Sequence, residues 1–377
     1  MGWGSMTEQE LNQLRRACRT VLPGHSQTDP AAEFAAMSAY CAQHQVEHDV
    51  YGEGAFVQQF EQKIAALLGL EAGVFCVTGT MAQSVALRLA CMQSGSSLVG
   101  LHPTAHILKH ENSNYQLLDH FQVVQFGDAY RSWTVSDLER IQDQLGAVLL
   151  ELPMREIGGQ LPGWAELQRI KQYCNEKHIH LHLDGARLWE AQAAYGRSFT
   201  DIVSGMDTVY VSFYKGIGGL AGAMLLGSTE FVGKAKAWMH RLGGSVYRRS
   251  PYVVSAAMQF DLRLAAMPAY LTRARQLSDL IRHFPRMQLN PAKPQCNLFH
   301  LYLPVNAERA IEIRNQIAGQ HGIWLFNRAA NASLPNQSVV EWYVGDNALA
   351  LSDAEVLAAL TLLNELLNES LRGLPDQ

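Results

Sequence analysis

Three short stretches of the 377-residue chain end apolar runs on residues able to do chemistry. Thr78-Gly79-Thr80 follows the run Gly73 to Val77 and opens a helical pattern. Free backbone N–H groups, a hydroxyl and the positive end of a helix dipole would converge there, which suits a phosphate. His182-Leu183-Asp184-Gly185-Ala186-Arg187 places a carboxylate and a guanidinium past a very apolar run, where each must meet an opposite charge to offset its desolvation. Tyr214-Lys215-Gly216-Ile217-Gly218-Gly219 sets a lone lysine at the end of the next run, among glycines that let a planar group approach the backbone. A desolvated lysine near other cations loses basicity and becomes a nucleophile toward carbonyls. Taken singly, the first stretch reads more readily as a turn with a cap, and the third reads equally as a solvated lysine in a glycine-rich turn. Jointly they give an anion cradle, a buried carboxylate and an amine 31 residues after it. That set suits pyridoxal 5'-phosphate (PLP): Lys215 to form a Schiff base, Asp184 to keep the pyridine nitrogen protonated, and Gly79 and Thr80 to hold the phosphate.

The elements that must carry these residues alternate short β-branched runs with amphipathic helices from about residue 50, the pattern of a parallel sheet covered on both faces. Strands are expected at Gly73 to Val77, Val123 to Phe126, Ala147 to Leu152, Ile179 to Leu183, Thr208 to Phe213 and Ala221 to Leu226. A helix with Phe56, Phe60, Ile64 and Leu67 on one face ends near Gly69. Others run from Ala82 to Met92, with Val85, Leu89 and Met92 inward, and from Trp164 to Glu176, with Leu167, Ile170 and Cys174 inward. Thr7-x-x-Glu10 and Ser352-x-x-Glu355 read as capping boxes. The second opens a last helix with a Val356, Leu360, Leu363, Leu367 stripe, stopped by Gly373 and Pro375. A long helical stretch from Pro251 to about Phe284 is expected to break at Pro268. Beyond it, Phe299/Leu301/Leu303 alternation, Trp324-Leu325-Phe326 and Val339 to Val344 read as an α+β tail, with the boundary near 255 to 285.

With these residues in view, the sequence resembles the low-specificity threonine aldolases and β-eliminating lyases among the fold type I PLP enzymes, over most of residues 48 to 260. Asp49-Val50-Tyr51-Gly52-Glu53 is similar to the family's entry motif, Thr78-Gly79-Thr80-Met81-Ala82 to its phosphate loop, and His182 through Leu188 to its most diagnostic stretch. The resemblance implies a fold type I, transferase-like α/β fold: a mainly parallel seven-stranded sheet sandwiched by helices, plus a small α+β C-terminal domain. The domains would be residues 1–45 packing with the small domain, 46–265 binding PLP, and 266–377. It implies that Lys215 carries the cofactor, Asp184 partners the pyridine nitrogen, and Arg187 contacts the substrate carboxylate or the ring oxygen. His106, five residues before Glu111, would stack over the ring, and Arg248 would reach the cofactor phosphate of a neighbouring subunit in a homodimer or homotetramer with shared active sites. The implied reaction is Cα–Cβ cleavage of a β-hydroxy-α-amino acid to glycine and an aldehyde, with Lys215, His106 and Asp184 catalytic.

The departures gather around the substrate. Family aldolases carry Glu-Asn-Thr-His-Asn before a Gly-Gly pair, but this chain reads Glu151-Leu152-Pro153-Met154-Arg155-Glu156-Ile157-Gly158-Gly159. Met154 replaces a histidine that would accept the substrate hydroxyl proton, which leaves His106 as the main base. Glu341 falls where the C-terminal domain usually offers an arginine, Gln83 where members have Asn, and His25-Ser26-Gln27-Thr28 only echoes their Arg-Ser-Asp-Thr. Arg155 would then engage a substrate anion and Glu341 a cationic or polar group, unless the two pair with each other or with surface charges. Retained PLP chemistry on an altered substrate follows. β-Elimination, transamination and racemisation share the same carbanion, and a catalytically silent PLP-fold binding protein is a further alternative.

Rival constellations are weaker. His178, His180 and His182 alternate as zinc ligands of a metal hydrolase could, yet such tracts are more often hydrogen-bonded fillers, and no metal site is expected. His102, His106 and His110, spaced by four, would line one helical face without an H-E-x-x-H motif. The Gly216 to Gly222 glycines lack a nucleotide-binding phasing, and Trp189, Trp238, Trp324 and Trp342 read as core or interface residues. Acidic residues outnumber Lys plus Arg by 35 to 30 with no basic block, so neither nucleic acid nor a membrane surface is an expected partner. Six scattered cysteines without C-x-x-C spacing, no membrane-length apolar run and no signal-like start point to the cytoplasm, and Met1 to Met6 reads as a remnant of cloning.

Overall fold

The computed structural model describes residues 6–26 and 28–372, so the expected N-terminal remnant up to Ser5, Gln27 of the echoed motif, and the Gly373 and Pro375 stop lie outside the described residues. The chain divides into two compact units. Among the described residues, one holds Thr28–Glu156 and Gln160–Met267; the other holds 6–26, Ile157–Gly159 and 268–372.

The larger unit is built on seven strands: β1 (Ala72–Cys76), β2 (Leu98–Leu101), β3 (Gln122–Gln125), β4 (Ala147–Glu151), β5 (His180–Gly185), β6 (Thr208–Ser212) and β7 (Ala223–Gly227). Their order is β1-β7-β6-β5-β4-β2-β3, and only β7 runs antiparallel to its neighbours. β4, β6 and β7 are buried at every position, as strands covered on both faces must be. All six expected strands form, within two residues of their expected bounds. The unexpected one is β2, whose Leu-Val-Gly-Leu is short and interrupted by glycine. Gly100 is there because a Cβ would meet Leu145, Phe126 and Val148 at 3.2, 3.2 and 3.3 Å.

Among the helices, α1 (Ala55–Leu68) buries Phe60 and Ile64 as expected, together with Val57, Glu61, Ala65 and Leu68, while Phe56 and Leu67 lie at the margin of that face. α2 (Gly79–Ser94) is buried almost all round: Val85 and Leu89 join one cluster with β1, β6 and β7, while Leu87, Ala90 and Cys91 join another with β2 and β4. Met92, expected inward, is 61% exposed in the last turn. α3 is the five-residue helix His106–His110, and α4 (Trp164–Glu176) buries Leu167, Ile170 and Cys174 as expected.

The smaller unit has a four-stranded antiparallel sheet in the order Ala329–Asn331, Ser338–Tyr343, Leu298–Leu303, Gln288–Asn290. Its core joins Phe299, Leu301 and Leu303 to the Val356, Leu360, Leu363 and Leu367 stripe of helix Asp353–Arg372. Both capping boxes form. The helix Ser250–Ile281 continues through Pro268 rather than breaking there. No helix among the described residues is long and apolar enough to cross a membrane.

The histidine tract is a filler. His178 precedes β5 in a turn with φ +54, so only His180 and His182 lie on the strand, and both share the Thr208 hydroxyl at 2.8 Å. Burial and the neighbouring His180 push the His182 pKa down to about 3. His182 therefore folds neutral, whereas the unfolded chain binds its proton near pH ~6.5. The stability this affords is fully present above that pH and is lost as pH falls toward the folded value, at about 1.4 kcal/mol per pH unit. His182→Gln should flatten the acid limb of a urea-midpoint-against-pH curve by about that slope; an unchanged limb would contradict the assignment.

Candidate active site

Strand register assembles the site. Cα partners run Glu151–Asp184–Tyr210 across the carboxyl ends of β4, β5 and β6, and residues so paired project to one face of a sheet. That face carries the start of α2. Asp184 is 1% exposed; Oδ2 accepts from Gln83 Nε2 at 2.9 Å and Oδ1 from the Ala186 backbone N–H at 3.0 Å. Tyr210 fills the space beside Gly79, where a Cβ would stand 2.0 Å from its hydroxyl. Only glycine lets the helix start come so close to the sheet.

Lys215 follows β6 in a turn fixed by two bonds. Ser212 Oγ donates to the Ala186 carbonyl at 2.7 Å, and Trp189 Nε1 donates to the Ser212 carbonyl at 2.8 Å, so the turns after β5 and β6 are tied together. The Lys215 pKa is lowered, by burial first and by the Arg187 charge second, against the opposing pull of Asp184, Glu151 and Glu190. Arg187 Nε lies 3.8 Å from Glu190 Oε2. Gly216 admits that carboxylate, since a Cβ there would meet Glu190 Oε1 at 2.4 Å. The structure thus brings Asp184, Arg187 and Lys215 into one electrostatic cluster and adds Glu151, Gln83, Glu190 and Tyr210, to which the motif reading had assigned no role. Glu151 carried the same signal as Asp184, an acid ending an apolar run.

His106 belongs to a chain of bonds leading back to α2. Its Nδ1 lies 3.0 Å from Glu111 Oε1; Glu111 Oε2 accepts from Asn114 Nδ2 at 3.0 Å, which also donates to Ser84 Oγ at 2.9 Å. On the other side the His110 ring centroid is 5.1 Å away, and His110 Nε2 reaches Glu156 Oε1 at 2.8 Å. His102 does not share this helix face: it precedes α3 and is buried on Thr104 and the Asp128 carbonyl. Arg155 gives its backbone N–H to Glu151 Oε1 at 3.1 Å while its guanidinium sits 3.2 Å from Glu156. Arg248 donates to the Asp49 carbonyl and stacks on Tyr247. Glu341 lies in the smaller unit, paired across its sheet with His300. No group of three or more His, Cys, Asp or Glu side chains among the described residues could hold a metal ion.

The donor set fits a phosphorylated aromatic cofactor. A cavity of about 490 Å³ opens at the start of α2, lined by Thr78, Thr80, Met81 and Ser84 and, opposite, by Gly243 and Gly244. The Thr78 side chain makes no capping bond to the helix, which leaves the helix start available to an anion. Gln83 Oε1 and Glu151 Oε2 are buried without a hydrogen-bond partner in the protein.

The family model for β-eliminating lyases matches residues 27–303. The chain belongs to the β-eliminating lyase family. Among relatives of this chain, the low-specificity L-threonine aldolase of Saccharomyces cerevisiae is 30% identical over 250 residues, 64% of this chain and 63% of that protein, so the match takes in less than two thirds of that relative's length. A Listeria monocytogenes structure, described as a proposed L-allo-threonine aldolase, is 35% identical with a TM-score of 0.86 over 95% of this chain and 99% of its own. The serine palmitoyltransferase of S. paucimobilis, solved with PLP–myriocin bound, is 15% identical and shares the fold, with a TM-score of 0.66 over 93% of this chain and 87% of its own. The chain therefore has the fold of type I PLP enzymes, with the mainly parallel sheet and flanking helices expected for it.

The close approach at Gly79 is testable. Gly79→Ala should lose about 1–3 kcal/mol of stability through overpacking on Tyr210 and weaken PLP uptake at least ~10-fold. Gly163→Ala, where a Cβ meets nothing within 4 Å, is the control expected to leave the absorbance titration unchanged while it weakens the N-cap of α4.

Proposed function

We propose that this lyase binds PLP at Lys215 and cleaves the Cα–Cβ bond of a β-hydroxy-α-amino acid, releasing glycine and an aldehyde. The observation that carries the reading is a fully buried Asp184 carboxylate in the same electrostatic cluster as a lysine of lowered basicity. When bound, PLP supplies an aldehyde for amines and a protonated ring that accepts an electron pair from Cα.

The chain's residues divide the remaining tasks. Lys215 is present as free amine at lower pH than an exposed lysine, which makes it nucleophilic. Gln83 and the Ala186 N–H orient the Asp184 carboxylate as the acceptor for a ring N–H. The start of α2 with Gly79 and Thr80 holds the phosphate, and Arg187 is placed by Glu190 to meet the substrate carboxylate or the ring oxygen. A carboxylate only accepts hydrogen bonds, so Glu111 makes His106 Nδ1 the donor and leaves the lone pair of a neutral ring on Nε2. That nitrogen is the base for the substrate β-hydroxyl proton. Arg155, in the loop after β4, meets an anionic group of the substrate. Leu118 and Leu242, both exposed, line the cradle's cavity, which supports closure by a second copy in a homodimer or homotetramer, where Arg248 would reach the neighbour's phosphate. Cysteines scattered without C-x-x-C spacing suit the cytoplasm.

The test is to load the protein with PLP and assay glycine and aldehyde from L-threonine, L-allo-threonine and L-phenylserine. Turnover of at least one is expected, with kcat/KM falling at least ~1,000-fold in Lys215→Ala and ~10-fold or more in His106→Asn. PLP-loaded protein that turns over none of them would reject the lyase reading. Attachment of PLP should also begin at lower pH than for an exposed lysine, because the Lys215 pKa is depressed.

A further inference from the structure

Glu151 has no task in that scheme, yet it stands at its centre. It is 7% exposed and register-paired with Asp184, so two carboxyl groups leave adjacent strands on the same face, about 5 Å apart at their Cα atoms. Both Asp184 oxygens are engaged by donors, from Gln83 and Ala186. Glu151 has one donor, the Arg155 backbone N–H on Oε1, and its Oε2 is buried with no hydrogen-bond partner in the protein. Two like charges so close in a dry site do not both ionise, and the proton goes to the less solvated carboxyl.

We propose that Glu151 is a proton-holding residue of the active site, keeping the Glu151–Asp184 pair at one negative charge rather than two and turning an O–H donor on Oε2 toward whatever joins Lys215. The groups facing it are Asp184 on β5, Arg187 at the start of the following helix and Lys215 after β6. Burial and the Asp184 charge push the Glu151 pKa well above the carboxylate range, while the Arg155 N–H, Lys215 and Arg187 pull the other way with less effect. The single charge matters because Lys215 must lose its proton to react, and a second anion beside it would hold that proton on. The PLP role rests on the function proposed above; the protonation does not.

The experiment is infrared difference spectroscopy on the intact chain at neutral pH, wild type against Glu151→Gln, which keeps the shape and the neutral state. A protonated-carboxyl stretch should be present in wild type, be missing from Glu151→Gln, and bleach in wild type as pH is raised toward ~10. The subtraction separates it from Glu61, another buried carboxyl whose pKa is raised. Should Glu151→Gln fold poorly, the alkaline bleaching in wild type, with Glu61→Gln as the control, carries the same decision. In PLP titrations at neutral pH, Glu151→Gln should bind within about threefold of wild type and Asp184→Asn at least ~10-fold more weakly. Identical infrared spectra for wild type and Glu151→Gln, or a tenfold loss of PLP affinity in Glu151→Gln, would overturn the proposal. Wild type that takes up no PLP while keeping the Glu151 band would refute the function proposed above and leave Glu151 protonated.

Discussion

A carboxylate sealed at the end of a strand between two others is the constraint on which the large unit turns. Asp184 cannot keep its charge there without donors and a nearby cation, since desolvating an unpaired carboxylate costs several kcal/mol. The surrounding architecture supplies both. α2 must come near enough for Gln83 to reach Asp184, which requires glycine at 79, which in turn gives Tyr210 its place. The turns after β5 and β6 must be locked to each other, as Ser212 and Trp189 do, so that Lys215 and Arg187 stay in the field of that charge. Parallel pairing of β4, β5 and β6 makes the arrangement a matter of register, so a slip by one residue would turn every one of these groups to the other face.

The parts of this arrangement that sequence could show are those with local causes. Strand runs bounded by glycine, capping boxes at Thr7 and Ser352, and the period of α4 are set within a few residues and appear where expected. Charged residues at the ends of apolar runs are legible for the same reason, as Asp184, Arg187 and Lys215 are. The misses have non-local causes. β2 is a strand because β4 and β3 pair with it, not because Leu-Val-Gly-Leu favours one. Met92 lies on the same helical pattern as Leu89, but it sits in the last turn of α2 and is exposed. His102 and His178 fit a spacing and not the helix or strand that the spacing suggested. Pro268 sits inside a helix without ending it. Gln83 and Glu151 were visible as residues; their meaning depends on which strand and helix come to lie beside Asp184.

By resemblance, the chain departs from the family's pattern at Met154, on the proposed substrate side, and at Gln83, beside Asp184. Met154 replaces a histidine and is buried, so it offers no proton acceptor. In the larger unit, His106 meets Glu111 and His110 meets Glu156, and Glu156 also takes the Arg155 guanidinium. The run from Ser84 through Asn114, Glu111, His106, His110 and Glu156 to Arg155 links the phosphate cradle to the loop after β4. A substitution at one of its members shifts several side chains together, so effects along it will not add.

The most direct measurement is borohydride reduction of PLP-treated protein followed by peptide mapping. The account predicts one reduced pyridoxyl group per chain, on Lys215, with the yellow absorbance lost on reduction. A label on any other lysine, or none at all after incubation with excess PLP, would contradict it.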